Sequence, residues 1–214
     1  MAKGDPNSKS AKKKQERLAM QRKMDARVAI VKTANLQDDP LASLPSFKVT
    51  SYITYILCWF FYFKIKLFLS LYFTIKKKKY NKNDVDLTLS TKRVTDLSQD
   101  KKEVIIDLLE INMKKLYEES EWGWNAKNKR DEMLDDHAWY LLAEKPDGTI
   151  VGFSHFRFDM DYDDEVLYVY EIQIDPNYQR KGLGRFMMQV LELLGMQIFS
   201  KNSNLLALAS ADPV

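Results

Sequence analysis

Residues 165–195 read EVLYVYEIQIDPNYQRKGLGRFMMQVLELLG, and the change of period along this stretch decides the fold. Its first part, EVLYVYEIQID, is rich in β-branched and aromatic residues and predicts a strand. Its last part places Phe186, Val190 and Leu194 one helical turn apart, which predicts an amphipathic helix. Between them lies Gln179-Arg180-Lys181-Gly182-Leu183-Gly184-Arg185. The first backbone N–H groups of a helix have no intrahelical partner. Gly182 and Gly184 let the backbone approach a ligand closely, and Arg180, Lys181 and Arg185 add positive charge. Together with the helix dipole, the loop predicts a diphosphate cradle; a plain tight turn before a helix is the alternative. It is neither a P-loop, lacking Gly-Lys-Ser/Thr, nor a dinucleotide fingerprint, lacking the third glycine.

Working outward, AWYLLAE (138–144) and TIVGFSHFRFD (149–159) predict two more strands. The KPDG turn joins them, and Asp147-Gly148 supplies the left-handed residue a hairpin needs. DKKEVIIDLLEINMKKLYEES (100–120) aligns Ile105, Leu108, Leu109, Asn112 and Leu116 on one stripe of a helix. Val85, Leu87 and Leu89 alternate as in a half-buried strand, and SEWGWNAKNKRDEMLDDH (120–137) reads as a loop with a short helical piece. The order is strand, helices, three strands, glycine loop, helix. That is an α+β domain, without the strict alternation of a doubly wound fold. Ser10 to about Asn35 reads as a helix with Leu18, Met24, Val28 and Val31 on its apolar face. Its basic run KSAKKKQERLAMQRK (9–23) is either a solvated face or a nuclear-import or acidic-surface patch. Residues 36–46, with Pro40 and Pro45, form a linker.

A hydrophobic fraction of 45% across 214 residues builds a real core and excludes wholesale disorder. The formal net charge of +3 argues neither for nor against nucleic acid. The single cysteine, Cys58, excludes an intrachain disulfide and fits a reducing compartment. With only His137 and His155 beside it, no zinc site assembles. His155, in a strand between Ser154 and Phe156, reads as a packed residue. The amino end is basic without an apolar segment after it, so no signal peptide is expected; Ala2 does not fit a myristoylation signal.

Gln-x-x-Gly-x-Gly between a long strand and a helix resembles the acetyl-coenzyme A loop of the Gcn5-related N-acetyltransferases (GNAT). LYEESEWGWNAKNKRDEMLDDHAWYLLA, GFSHFRFD and DEVLYVYEIQ narrow the resemblance to the NatD-type N-terminal acetyltransferases. It covers about residues 85–194, plus the basic helix and DPLASLPSFK. It implies a mixed, mainly antiparallel sheet flanked by helices, and acetyl-CoA as co-substrate without a metal. The implied reaction acetylates the α-amine of histones beginning Ser-Gly-Arg-Gly. The implied partners are histone tails, with no direct nucleic acid, for a monomer of nucleus and cytoplasm. An α-amine with a pKa of about 7.7–8.0 must lose a proton before it attacks a thioester. A carboxylate near the strand end can take that proton, a contribution of about 10²–10⁴-fold. Glu171, in Tyr168-Val169-Tyr170-Glu171, is the expected base; a sheet carboxylate paired with a lysine is the alternative. Strand alternation sets Tyr168 and Tyr170 opposite Glu171. By resemblance Tyr117, Asp159, Met160, Tyr168 and Tyr170 hold the peptide's first residues, and Trp122 lines the pocket. Ile172, Gln173 and Ile174 run beside the coenzyme arm, one N–H polarising the thioester carbonyl. Arg180, Lys181, Gly182, Leu183, Gly184 and Arg185 hold its phosphates.

Two stretches depart from that family. Residues 49–79, VTSYITYILCWFFYFKIKLFLSLYFTIKKKK, stand where a short linker is expected. A bilayer core of about 30 Å needs about 20 apolar residues. The uncharged part, Val49 to Phe63, is shorter, and extending it to Ile75 takes in Lys64 and Lys66. Val49–Asn83 holds no Gly, Ala, Pro, Arg, Asp or Glu, and the residues that dominate it have A/T-rich codons. It reads as a retained non-coding segment outside the catalytic core, with a membrane tether through 49–75 as the other reading. The second departure is IFSKNSNLLALASADPV (198–214), where the family's C-terminal strands should follow. The expected organisation is a basic helix and linker (1–46), an apolar insertion (47–83), an incomplete acetyltransferase domain (84–198) and an atypical tail (199–214). A chain so organised is expected to be weakly active, or a peptide-binding module without turnover.

Overall fold

The computed structural model describes residues 6–44, 48–49, 79–82 and 85–199. The expectations for Cys58, for the apolar run over 50–78 and for a strand at LLALA lie outside those residues. Among the described residues, no helix is long and apolar enough to cross a membrane.

Among the described residues, six strands form one sheet in sequence order: β1 (Lys48–Val49), β2 (Lys79–Lys82), β3 (Val85–Arg93), β4 (Trp139–Glu144), β5 (Ile150–Asp161) and β6 (Asp164–Ile174). β1 and β2 run parallel; every other neighbour is antiparallel. The α+β reading therefore holds, and so do the strands read from 85, 138, 149 and 165. Gly148 takes φ +85°, as the KPDG turn requires. The sheet reaches into the stretch expected to be an insertion. Lys79–Lys82 pair with Val85–Thr88, and Tyr80 is buried in the core.

Among the described residues, four helices flank the sheet: α1 (Pro6–Asn35), α2 (Gln99–Glu119), α3 (Ala126–Met133) and α4 (Leu183–Phe199). Ser98 caps α2 through the Lys101 N–H, and Asn125 caps α3 through the Asn128 N–H. One face of the sheet carries Trp139, Leu141, Phe156, Phe158, Leu167 and Val169 against α1 and α4. From α4 come Phe186, Met187, Val190, Leu191 and Leu194, the stripe expected of that helix. The other face carries Tyr140, Leu142 and Phe153 against Ile105, Leu108 and Leu109 of α2 and Met133 of α3.

Two helix readings change. Leu116 is 56% exposed and Asn112 is half-buried, so the apolar stripe of α2 continues from Leu109 to the partly buried Met113 and not to Leu116. Asn112 instead reaches the end of β6. In α1, Leu18 and Val28 are exposed, and the packed positions are Val31 and Ala34. The helix docks through polar groups instead. Asn35 Nδ2 donates to the Phe158 carbonyl at 3.0 Å, and its Oδ1 accepts from Trp139 Nε1 at 3.1 Å. Arg27 pairs with Asp164 at 2.8 Å and lies 3.5 Å from the fully buried Glu165 carboxylate.

Candidate active site

The chemistry gathers where β6 breaks its ladder. His155 pairs with Glu171 and Phe156 with Val169, so Tyr170 is an extra residue in the strand. Such a bulge re-aims the side chains beside it. Strict alternation would set Tyr168 and Tyr170 opposite Glu171; the bulge puts all three on the face of α2 and α3. The Tyr170 ring stacks on His155 at 5.0 Å and lies 4.6 Å from the Tyr168 ring. The Arg157 guanidinium sits 4.7 Å over it.

Glu171, its side chain 9% exposed, meets Lys129 Nζ at 3.3 Å and accepts from Gln173 Nε2 at 2.6 Å. Burial pushes its pKa up, while Lys129 and Gln173 pull it back down. A carboxylate moved upward from the usual range is better matched to a base working near neutrality. Glu171 is thus paired with a lysine, the alternative expected of it, in a buried setting that raises its pKa. Burial pulls Lys129 down, but Glu171, Glu132 and the Tyr117 hydroxyl more than offset this and leave it raised. His155 is buried between Tyr140 and Tyr170, as the sequence predicted of a packed residue. Burial, with Arg157 and Lys129 nearby, pushes it down to about 3, so its ring is neutral. Arg157 Nε donates to His155 Nε2 at 3.4 Å, which puts the ring proton on Nδ1.

Of the predicted peptide-binding residues, Tyr117, Asp159, Tyr168 and Tyr170 come together. Tyr117 lies 5.5 Å under Lys129 Nζ and 5.8 Å from the Trp124 ring. Asp159 is exposed, and its charge helps burial to raise Tyr170, against Arg157. Two residues do not join them. Trp122 is 84% exposed, because Gly123 at φ +64° turns the chain so that Trp124 is the ring packed on Tyr117. Met160 alternates to the opposite face and packs against the apolar core there.

Beyond Glu171, Ile172, Gln173 and Ile174 form one wall of an open groove of about 310 Å³, with Gln179, Gly184 and Met188 as the other. Its size is at the low end for ligand sites, and its open form suits an extended chain lying along the strand. Asn112 Nδ2 donates to Gln173 Oε1 at 2.8 Å and to the Ile174 carbonyl at 3.0 Å; Gln179 Nε2 donates to the same carbonyl. Gly182 takes φ +88°, and a Cβ at Gly184 would stand 3.1 Å from Ile174 Cδ1. The loop thus carries a positive-φ glycine, a helix start, and exposed Arg180 and Arg185. Leu183 contributes only backbone, since its side chain is in the core. Lys181 lies 5.4 Å over the Tyr178 ring. Tyr80 supports the loop from behind, its hydroxyl donating to the Lys181 carbonyl.

The sequence reading passed over Tyr80, Asn112, Trp124, Lys129 and Arg157. Asn112 gave one signal, a polar residue within an apolar stripe; the others are brought in by tertiary packing. Among the described residues, no group of three or more His, Cys, Asp or Glu side chains could hold a metal ion.

Residues 105–205 match the Acetyltransferase (GNAT) family. The match spans just under half of the chain and goes with the GNAT fold and with acetyl-CoA as the co-substrate. Solved structures similar to it include a GNAT-family acetyltransferase from Listeria monocytogenes 4b F2365, 18% identical, with 56% of this chain and 76% of that one covered at a TM-score of 0.40. A ribosomal-protein-alanine N-acetyltransferase from Brucella melitensis biovar Abortus 2308 is 17% identical, with 58% and 80% covered at 0.40. AAC(6')-Iy in complex with the bisubstrate analog CoA-S-monomethyl-acetylneamine is 16% identical, with 58% and 80% covered at 0.39.

Proposed function

We infer that the chain moves the acetyl group of acetyl-CoA to the α-amine of a protein N-terminus, with histones beginning Ser-Gly-Arg-Gly as its substrates. One observation carries the reading. The β6 bulge sets Glu171 on the same face as Tyr168 and Tyr170, one residue from a groove walled by Ile172–Ile174. Acetyl-CoA supplies an activated acetyl thioester, lying along that groove with its phosphates at residues 180–185. Glu171 takes the proton of the α-ammonium, directly or through a water, and frees the nitrogen lone pair. Tyr117, Tyr168 and Tyr170 offer ring faces and hydroxyls to the first residues of the peptide. Exposed Asp159 suits the arginine at its third position. The chain acts as a monomer on histone tails in nucleus and cytoplasm.

The test is recombinant full-length chain with labelled acetyl-CoA and a Ser-Gly-Arg-Gly peptide, read by mass spectrometry. The expected product carries one acetyl group on the α-amine, and a peptide with a blocked α-amine receives none. Glu171→Gln lowers kcat about 10²–10⁴-fold and leaves acetyl-CoA affinity in place. Peptide binding without acetyl transfer would make the chain a binding module instead.

A further inference from the structure

The pairing of Lys129 with Glu171 asks how a base held by a buried lysine can serve an incoming cation. The groups facing Glu171 come from four elements. α3 gives Lys129 and Glu132, α2 gives Tyr117, β5 gives His155 and Arg157, and β6 gives Tyr168, Tyr170 and Gln173. His155 is neutral, and Arg157 is turned toward the Tyr170 ring, His155 and the Glu132 carbonyl. The one cation in contact with the Glu171 carboxylate among the described residues is therefore Lys129. Its ammonium has a second anchor, for Glu132 Oε1 lies 3.1 Å away on the same helix. The Lys129 side chain is 14% exposed, so water screens these contacts little.

We propose that Lys129 is a positioning residue for acetyl transfer: shared between Glu171 and Glu132, it keeps Glu171 charged while the site is empty. It then shifts its weight to Glu132 when a substrate ammonium arrives. A buried carboxylate without a partner takes up a proton, and a protonated Glu171 cannot accept another. Lys129 beside it favours the ionised form of Glu171 before the substrate binds. The same charge disfavours the ammonium form of the incoming α-amine, since two cations then face one carboxylate. Proton loss from the substrate relieves that repulsion. Glu132 prevents Lys129 from holding Glu171 too firmly. The role rests on Glu171 being the base, as proposed above.

The test reads the carboxylate itself, apart from turnover. Full-length chain is labelled with ¹³C at its glutamate carboxyls, and the resonance missing from Glu171→Gln assigns Glu171. In Lys129→Met its titration midpoint moves to higher pH, and in Lys129→Arg it returns toward that of the unsubstituted chain. Lys129→Gln, polar and milder for folding, moves it upward too. Glu132→Gln moves it the opposite way, because Lys129 then has one carboxylate to serve. Midpoints that coincide in all four proteins and the unsubstituted chain overturn the role of Lys129. Acetyl transfer is scored separately: an unchanged rate in Glu171→Gln overturns the assignment of the base on which the role rests.

Discussion

The two faces of the sheet are built from the same strands yet do different work. The face under α1 and α4 is a closed apolar layer of Trp139, Leu141, Phe156, Phe158, Leu167 and Val169. The face under α2 and α3 starts apolar at Tyr140, Leu142 and Phe153, then becomes charged and aromatic at His155, Arg157, Tyr170 and Glu171. The first binds α4 through area removed from water, which is non-directional, and α1 through the polar contacts of Asn35 and Arg27. The second depends on a few polar contacts in a dry setting, where one unpaired group is costly. The difference shows how one sheet can supply stability from one side and a buried, lysine-paired carboxylate from the other.

Breaking the apolar side gives the largest effect. Phe156→Ala removes a fully buried ring packed on Trp139 and Phe158. It is expected to cost about 3–5 kcal/mol in urea unfolding, without moving the titration of Glu171.

On the other side the expected effect depends on pH. His155 is held at about 3 in the folded chain, against an ordinary value of 6.5. Between those values the unfolded chain binds a proton that the folded chain does not, so stability rises with pH through that window. It is lost as pH falls from about 6.5 toward 3, by up to about 1.4 kcal/mol per pH unit. His155→Phe keeps a ring between Tyr140 and Tyr170 and removes the proton site. The difference between the two proteins in urea midpoint against pH isolates the slope, because Glu171, raised, contributes with the opposite sign.

A smaller effect joins the sheet to the glycine loop. Tyr80→Phe keeps the ring on Phe186, 5.2 Å away, and loses the bond to the Lys181 carbonyl. About 0.5–1.5 kcal/mol is expected, as weaker acetyl-CoA binding by calorimetry. The smallest concerns Trp122. Its exposure predicts that Trp122→Ala changes stability by no more than about 0.5 kcal/mol in the same urea assay. An increase in peptide KM without a stability change would return Trp122 to the peptide site.

The order of elements was legible because period and punctuation agree with the fold: β3 alternates from Val85, Gly148 turns the hairpin, and Phe186, Val190 and Leu194 face the core. The glycine loop was legible because Gly182 sits where φ is positive and the backbone approaches closely. The side of the strand on which Glu171 emerges was not. Period-two alternation carries no mark of a bulge, which arises from how β5 and β6 pair. Lys129 lies 42 positions before Glu171, in a short polar helix whose pattern gives no partner.

The end of the apolar run makes the same division. Composition alone sets residues 49–83 apart from their neighbours, yet Tyr80 enters the core and its hydroxyl reaches the Lys181 carbonyl. By itself the sequence determined β3 to β6, the helices, the glycine loop and the residue types for acetyl transfer, because these follow from local periodicity and backbone freedom. Only the tertiary structure decided that Tyr170 bulges, that Glu171 shares its face and that Lys129 and Gln173 hold the carboxylate. Those outcomes depend on contacts between elements distant in the chain, which no local pattern encodes.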